Sequence, residues 1–179
     1  MMSKRVLCLL VQGFEEIETV TPVDLLRRAG VEVVLAGLTE LSVSGRNGIT
    51  LQANALLEKI STSDFDLLFI PGGPGVGELL KDGRAAELAQ EFTTAGKTVA
   101  AICAAPLILD DAGLLDGKKF TAHSSVHKEL PGVLTDRVVV DGDLITSRGA
   151  GTALDFGLAL VERLTDKQTA QQISADIMA

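Results

Sequence analysis

The sequence predicts an α/β fold: a doubly wound, three-layer sandwich on a mostly parallel sheet with hairpin additions. Three observations carry that expectation. Apolar runs of strand length recur along the chain, each followed by a helical pattern, which is how successive βα units read. Hydrophobic residues make up 46% of the chain but aromatic residues only 3%, so the core must be packed from Leu, Val, Ile and Ala, which suits layered packing. No repeat, linker or low-complexity stretch interrupts the 179 residues, which fit one domain, 1–179, long enough to bury a core without disulfides or metals.

Taken in order, RVLCLLV (5–11) is apolar on both faces, as a central strand of a parallel sheet must be. EEIETVTPVDLLRRAG (15–30) begins acidic, ends basic and stops at Gly30, a polarity matched to a helix dipole. Pro22 inside it is expected to kink or restart the helix. VEVVLAGL (31–38) gives a second strand, and LSVSGRNGITLQAN (41–54) carries Asn47-Gly48 between two short β-like runs, a hairpin signal. After a brief polar helix, DLLFI (66–70) runs into the turn cluster PGGPGVG (71–77), followed by helical GELL and RAAELAQEFTTAG. TVAAI (98–102) reads as a strand, APLILDDAG (105–113) as a helix ending near Gly113, and KFTAH (119–123) as a strand that ends in histidine. RVVVDGDLITS (137–147) folds back through Asp141-Gly142, and two helices, roughly 152–164 and 166–178, close the chain.

Composition narrows the function classes. A formal net charge of −8 repels phosphate backbones, so nucleic acid is not an expected partner. Cys8 and Cys103 match neither a disulfide framework nor a zinc-ligand spacing, and a reducing cytoplasm is the expected location. The start imitates a signal peptide, with Lys4 and Arg5 before an apolar run, but acidic residues follow Val11 and no small-residue cleavage site appears. No run reaches the ~20 apolar residues that span a bilayer, so no membrane partner is expected.

In doubly wound sheets ligands gather beyond the carboxyl ends of the strands, and Glu18, Gly72, Gly73, Cys103 and His123 all follow such ends. Cys103 stands where a strand turns sharply into a helix. That elbow pushes a side chain into the open and aims unpaired amides of the first helical turn at it, favouring a thiolate. Ala104 and Ala105 keep the neighbours small, as a nucleophile elbow needs, and Pro106 costs little so early in a helix. The alternative is a small buried hydrophobe, which is the reading that suits mid-strand Cys8. Gly72 and Gly73 let backbone approach a ligand, so the Gly73 and Ala104 amides form a candidate oxyanion site, although a tight turn alone would also call for glycine. Glu15 and Glu16 read as dipole complements on a solvated face. Glu18 lies further on; buried beside a thiolate it would have its pKa raised, stay protonated and move protons. His123 can face the cysteine as a catalytic or a structural group, no third member of a triad is evident, and His127 reads as exposed.

Together these residues resemble the ThiJ/PfpI superfamily, in the branch of the Parkinson-disease-associated protein deglycase. The resemblance runs through SKRVL near the start, G-x-E-E-x-E-T-V-x-P-V-D-L-L-R-R-A-G at 13–30, PGG at 71–73, AAICAAP at 100–106 and TSRGAGTALDFGLALVE at 146–162. It implies a flavodoxin-like sandwich, a homodimer, an oxidation-prone elbow cysteine at Cys103 and a protonated Glu18 bonded to it. It further implies amide contacts from Gly73 and Ala104, a nearby His123, and an Arg46 similar to an anion-binding arginine; Glu15 and Arg46 are the candidate binding positions. Protease-like relatives place a histidine directly after the nucleophile, where this chain has Ala104. His127-Lys128-Glu129 has the H-x-E spacing of class I glutamine amidotransferases but lies too soon after Cys103.

The function expected is a cysteine-dependent enzyme of glyoxalase or deglycase type, without metal or organic cofactor, acting on α-oxoaldehydes or their early protein adducts. The alternative is a redox sensor or oxidative-stress chaperone in which Cys103 becomes a sulfinic acid. A peptidase or amidase comes third. The expected partners are a small aldehyde or a glycated protein and a second copy of the chain, packed through exposed apolar positions on TPVDLLRRAG (21–30).

Overall fold

In chain order the strands are β1 (Arg5–Leu10), β2 (Glu32–Gly37), β3 (Ser42–Ser44), β4 (Thr50–Gln52), β5 (Ala55–Leu56), β6 (Leu67–Ile70), β7 (Thr98–Ile102), β8 (Val138–Asp141) and β9 (Leu144–Ser147). The helices are α1 (Glu16–Arg28), α2 (Val76–Asp82), α3 (Arg84–Thr94), α4 (Pro106–Asp111), α5 (Ala153–Leu164) and α6 (Lys167–Asp176). These come from a computed structural model that describes residues 3–179. Seven strands form one sheet in the order β5-β2-β1-β6-β7-β9-β8, parallel throughout except where β8 runs against β9. The five longer parallel strands follow the flavodoxin-like order.

Side-chain alternation along β1 explains the layers. Leu7 and Leu9 enter the cluster shared with α2, α3 and α4, while Val6, Cys8 and Leu10 enter the one shared with α1, α5 and α6. Every residue of β6 and β7 is buried, as strands covered on both faces should be. Cys8 is sealed in the second cluster, where burial pushes its thiol far above the ordinary range. It packs as a small hydrophobe.

Several local expectations change. Helix α1 runs through Pro22 without a break. Proline withholds the amide that Glu18 O would otherwise receive, and the helix is held there by close packing on α5. A methyl group on Gly157 would lie 3.0 Å from Pro22 Cα and 2.6 Å from Leu25 Cδ1. Segment 119–123 is no strand: it makes one bridge, Thr121 to Leu134, and Thr121 N–H donates to the Thr146 side chain at 2.9 Å instead of to a ladder. The polar helix is two short 3-10 turns, Leu57–Lys59 and Thr62–Asp64, preceded by the unforeseen β5.

Both hairpins form, with shifted turns. Asp141 pairs with Leu144, so the two-residue loop is Gly142-Asp143, and Gly142 takes φ 63° at the first loop position, as a type II′ turn demands. The β3–β4 loop spans five residues, Gly45 to Ile49. On α1 the residues Val23, Leu25 and Leu26 are buried within the chain, so the apolar positions of 21–30 are not free for a twin. Among the described residues no helix is long and apolar enough to cross a membrane.

Candidate active site

Because β1, β6, β7 and β9 are neighbours in the sheet, the segments leaving their carboxyl ends converge. They bring Glu15 and Glu18, Gly72 to Pro74, Cys103 and Ala104, and Gly149 and Ala150 to one rim. A cavity of about 400 Å³ opens there, with Cys103 on its wall beside Glu15, Glu18, Arg46, Gly73, Ala104 and His123. Gly72 lies directly beneath it: a methyl group on Gly72 would collide with Glu18 Oε2 and come within 2.6 Å of Cys103 Cβ.

Cys103 is half-buried and adopts φ 67°, the left-handed region that side chains other than glycine seldom enter. Its N–H donates to Ser147 O at 2.9 Å, and its carbonyl accepts from His123 N–H at 2.8 Å. A strained backbone of this kind costs about 1–3 kcal/mol and persists because its surroundings over-determine it. Here Ser147 at the end of β9 and His123 in the segment beyond α4 supply that restraint. Pro106 follows at the first position of α4.

Glu18 occupies the first turn of α1, which Glu15 caps by accepting Glu18 N–H on Oε2 at 2.8 Å. Glu15 N–H in turn donates to Gly72 O at 3.0 Å, locking the helix start to the glycine turn. The Glu18 side chain is 1% exposed, and Oε2 is buried without a hydrogen-bond partner among the described residues. Burial raises its pKa to about 7, against the Cys103 thiol and the Gly72 and Ala150 amides, which favour the carboxylate.

Burial works against the thiolate that the elbow is expected to favour. Burial pushes Cys103 up to about 12, the charge of Glu18 and its bond to the thiol add to the rise, and the Ala104 and Gly73 amides only partly oppose it. The elbow is too enclosed for two amides to offset desolvation. Both influences of Glu18 on the sulfur require Glu18 to be charged, so the two groups titrate as a pair that holds one proton above about pH 7.

His123 Nδ1 accepts from Ser125 N–H at 3.2 Å and lies 2.9 Å from Ser125 Oγ. In a neutral imidazole this places the proton on Nε2. No carboxylate orients the ring among the described residues. Gly149 marks where the groups meet: a methyl group there would lie 3.3 Å from His123 Cδ2, 3.5 Å from Glu18 Oε1 and 3.9 Å from Cys103 Sγ. His127 is exposed, with Nε2 3.2 Å from Ala122 O.

Glu15 and Glu16 are not on a solvated face, being 6% and 5% exposed. Glu16 instead accepts from Asn47 N–H at 2.7 Å and Asn47 Nδ2 at 3.1 Å, pinning the β3–β4 loop. Burial raises its pKa, but amides of its own helix start, Asn47 and Ile49 outweigh that and hold it below the usual range. This anchorage brings Arg46 to the cavity, with Arg46 N–H donating to Phe14 O at 2.8 Å. Partners thirty-one residues apart leave no local sequence signal for it. Among the described residues no three His, Cys, Asp or Glu side chains are grouped to hold a metal ion.

The model of the DJ-1/PfpI family matches residues 4–163. The chain belongs to that family. The crystal structure of Drosophila melanogaster DJ-1beta superposes with a TM-score of 0.95 at 34% identity, covering 99% of each chain. Protein DJ-1 homolog B of Arabidopsis thaliana is 38% identical over 182 residues, which are 98% of this chain and 42% of that protein. The chain thus spans less than half the length of that relative. A deglycase of Pyrococcus abyssi is 32% identical over 151 residues, 82% of this chain and 91% of that one.

Proposed function

We propose that the protein is a cysteine-dependent enzyme of deglycase or glyoxalase type that acts on α-oxoaldehydes such as methylglyoxal, or on their early protein adducts. The observation that carries this reading is the Glu18–Cys103 pair: a buried carboxyl and a half-buried thiol that hold one proton between them above about pH 7. The deglycase name of the Pyrococcus relative supports the reaction class.

In this mechanism the Glu18 carboxylate takes the thiol proton as Cys103 Sγ attacks the aldehyde carbon. A C–S bond forms, and the carbonyl electron pair moves to an oxygen held by the Gly73 and Ala104 amides. Glu18 gives its proton to that oxygen, completing a hemithioacetal. It then removes the proton from the former aldehyde carbon, the electrons run to the neighbouring carbonyl, and that oxygen takes the hemithioacetal hydroxyl proton, giving an enediolate. Returning that proton to the neighbouring carbon leaves a 2-hydroxyacyl thioester. Water cleaves the thioester, releasing the hydroxy acid and restoring the thiol. One carbon is oxidised, its neighbour is reduced, and no external oxidant enters. His123 stands at the same cavity, its ring held by Ser125.

A second reading, a redox sensor or stress chaperone, draws on the contrast between the two cysteines. Cys103 reaches the cavity while Cys8 is sealed, so a peroxide would place its oxygens on Cys103, with Glu18 donating to the sulfinate. Either reading suits a reducing compartment, residues 1–179 acting as one domain, and a homodimer. The deciding assay is lactate formation from methylglyoxal. Loss of at least about 100-fold in Cys103→Ser is expected for a nucleophile; the parent rate in that variant would defeat the proposal.

A further inference from the structure

Across His123 from Cys103 lies a second cavity of about 280 Å³ that the reaction above leaves unused. His123 lines both cavities. Gly149 also lines the second, and a methyl group on it would stand 3.9 Å from Cys103 Sγ, so the two spaces adjoin at that glycine. The chain has two histidines, and both His123 and His127 line this space together with Arg137 and Arg148. In a chain of net charge −8, which repels anions as a whole, this is a local concentration of donors and positive charge.

Hydrogen bonding separates the committed groups from the free ones. Arg137 is spent on structure: Nε donates to Asp155 Oδ2 at 2.8 Å, and Nη2 donates to Gly151 O at 2.8 Å. Arg148 makes no ion pair among the described residues and gives one long bond, from Nη1 to Thr135 O at 3.3 Å. Most of its planar fork of donors therefore remains open. The Ser125 amide fixes His123 Nδ1 as acceptor, leaving Nε2–H available. A guanidinium fork and an imidazole N–H lining one cavity match the oxygens of a carboxylate or a phosphate.

We infer that this second cavity is a subsite for an anionic oxygen group, held by Arg148 and His123, on a substrate whose carbonyl carbon sits at Cys103. The inference rests on the enzymatic reading above and narrows its substrate class to aldehydes, or adducts of aldehydes, that bear a carboxylate or phosphate. A neutral aldehyde such as methylglyoxal would fill only the Cys103 cavity.

The imidazole resonances of the two histidines report on this space directly. Titrations with inorganic phosphate and with acetate, at ionic strength held by chloride, are expected to move them saturably. Response to phosphate alone assigns a phosphoryl group, and response to both assigns either anion. Arg148→Gln is expected to weaken that binding about tenfold, whereas Lys59→Gln, which removes the same charge elsewhere, leaves it unchanged. In turnover, the ratio of kcat/KM for dioxopentanoate, an α-oxoaldehyde ending in a carboxylate, to that for methylglyoxal is expected to fall about tenfold in Arg148→Gln. No saturable shift with either anion, or equal binding in Arg148→Gln, overturns the subsite even if both aldehydes are consumed. Binding that depends on Arg148, with neither aldehyde consumed, leaves the anion site standing and removes the enzymatic reading.

Discussion

Gly72 and Cys103 are packed so closely that a methyl group on the glycine would come within 2.6 Å of Cys103 Cβ and 2.9 Å of Ile102 O, and would strike Glu18 Oε2. The two candidate reacting groups therefore meet over a residue with no side chain. Gly72→Ala is expected to cost about 1–3 kcal/mol in urea unfolding, because neither backbone nor a buried carboxyl can yield. It should also slow Cys103 alkylation more than tenfold by prising the pair apart. Gly77→Ala is the control: it lies in α2 with nothing within 4 Å of the new methyl group, so it should stabilise by about 0.5–1 kcal/mol.

The shared proton has a kinetic signature. Below pH 7 both Glu18 and Cys103 are protonated and the sulfur has no base; above it the carboxylate can take the thiol proton. The rate of Cys103 alkylation by iodoacetamide should rise through about pH 7 and level off. In Glu18→Gln that inflection should vanish, leaving a single thiol titration above the ordinary cysteine range, since desolvation of the sulfur persists. An unchanged inflection in the variant would assign the titration to another group.

The same carboxyl makes stability depend on pH. Glu18 titrates near 4.5 when unfolded and at about 7 when folded, so the native state binds the extra proton between those values. Its neutral form is accommodated at low pH, and stability falls as pH rises from 4.5 through 7, by about 3 kcal/mol in all at 1.4 kcal/mol per pH unit. Glu18→Gln, which is neutral at every pH, should therefore be no more stable than the parent at pH 4.5 but more stable by up to about 3 kcal/mol at pH 8. Urea midpoints of both proteins at the two pH values measure this. A gain that is the same at both would mean that charge burial is not its source.

Sequence periodicity carried the sheet well because β1, β6 and β7 are buried on both faces and their apolar runs are unbroken. It failed at residues 119–123, where the apolar and β-branched positions are satisfied by a Thr146 side chain and a single bridge. The residues gathered around Cys103 were legible as strand-end positions. Their electrostatics were not, because the pKa of Cys103 depends on how much solvent the converging loops exclude, a property of no single segment. Glu16 was misread for a related reason: an acidic residue at a helix start looks the same in sequence whether it faces water or a loop thirty-one residues away.

Self-association can be judged from α1. With Val23, Leu25 and Leu26 turned inward, its free apolar surface is one turn earlier, at Ile17 and Val20, which are 53% and 44% exposed. They are three residues apart and so share a helix face. Ile49, 57% exposed, belongs to the loop whose backbone bonds to Glu16 at the start of the helix. Exposed aliphatic side chains on α1 and on the loop anchored to its start favour burial against an equivalent patch related by a two-fold axis. Sedimentation equilibrium at micromolar concentration should report a dimer, and Ile17→Glu a monomer that keeps its fold, because more than half of the Ile17 surface already faces solvent. A parent protein that sediments as a monomer would show that the patch is too small to hold two copies together. A dimer that survives Ile17→Glu would move the interface to another face, with the exposed Val140 on edge strand β8 the next position to vary.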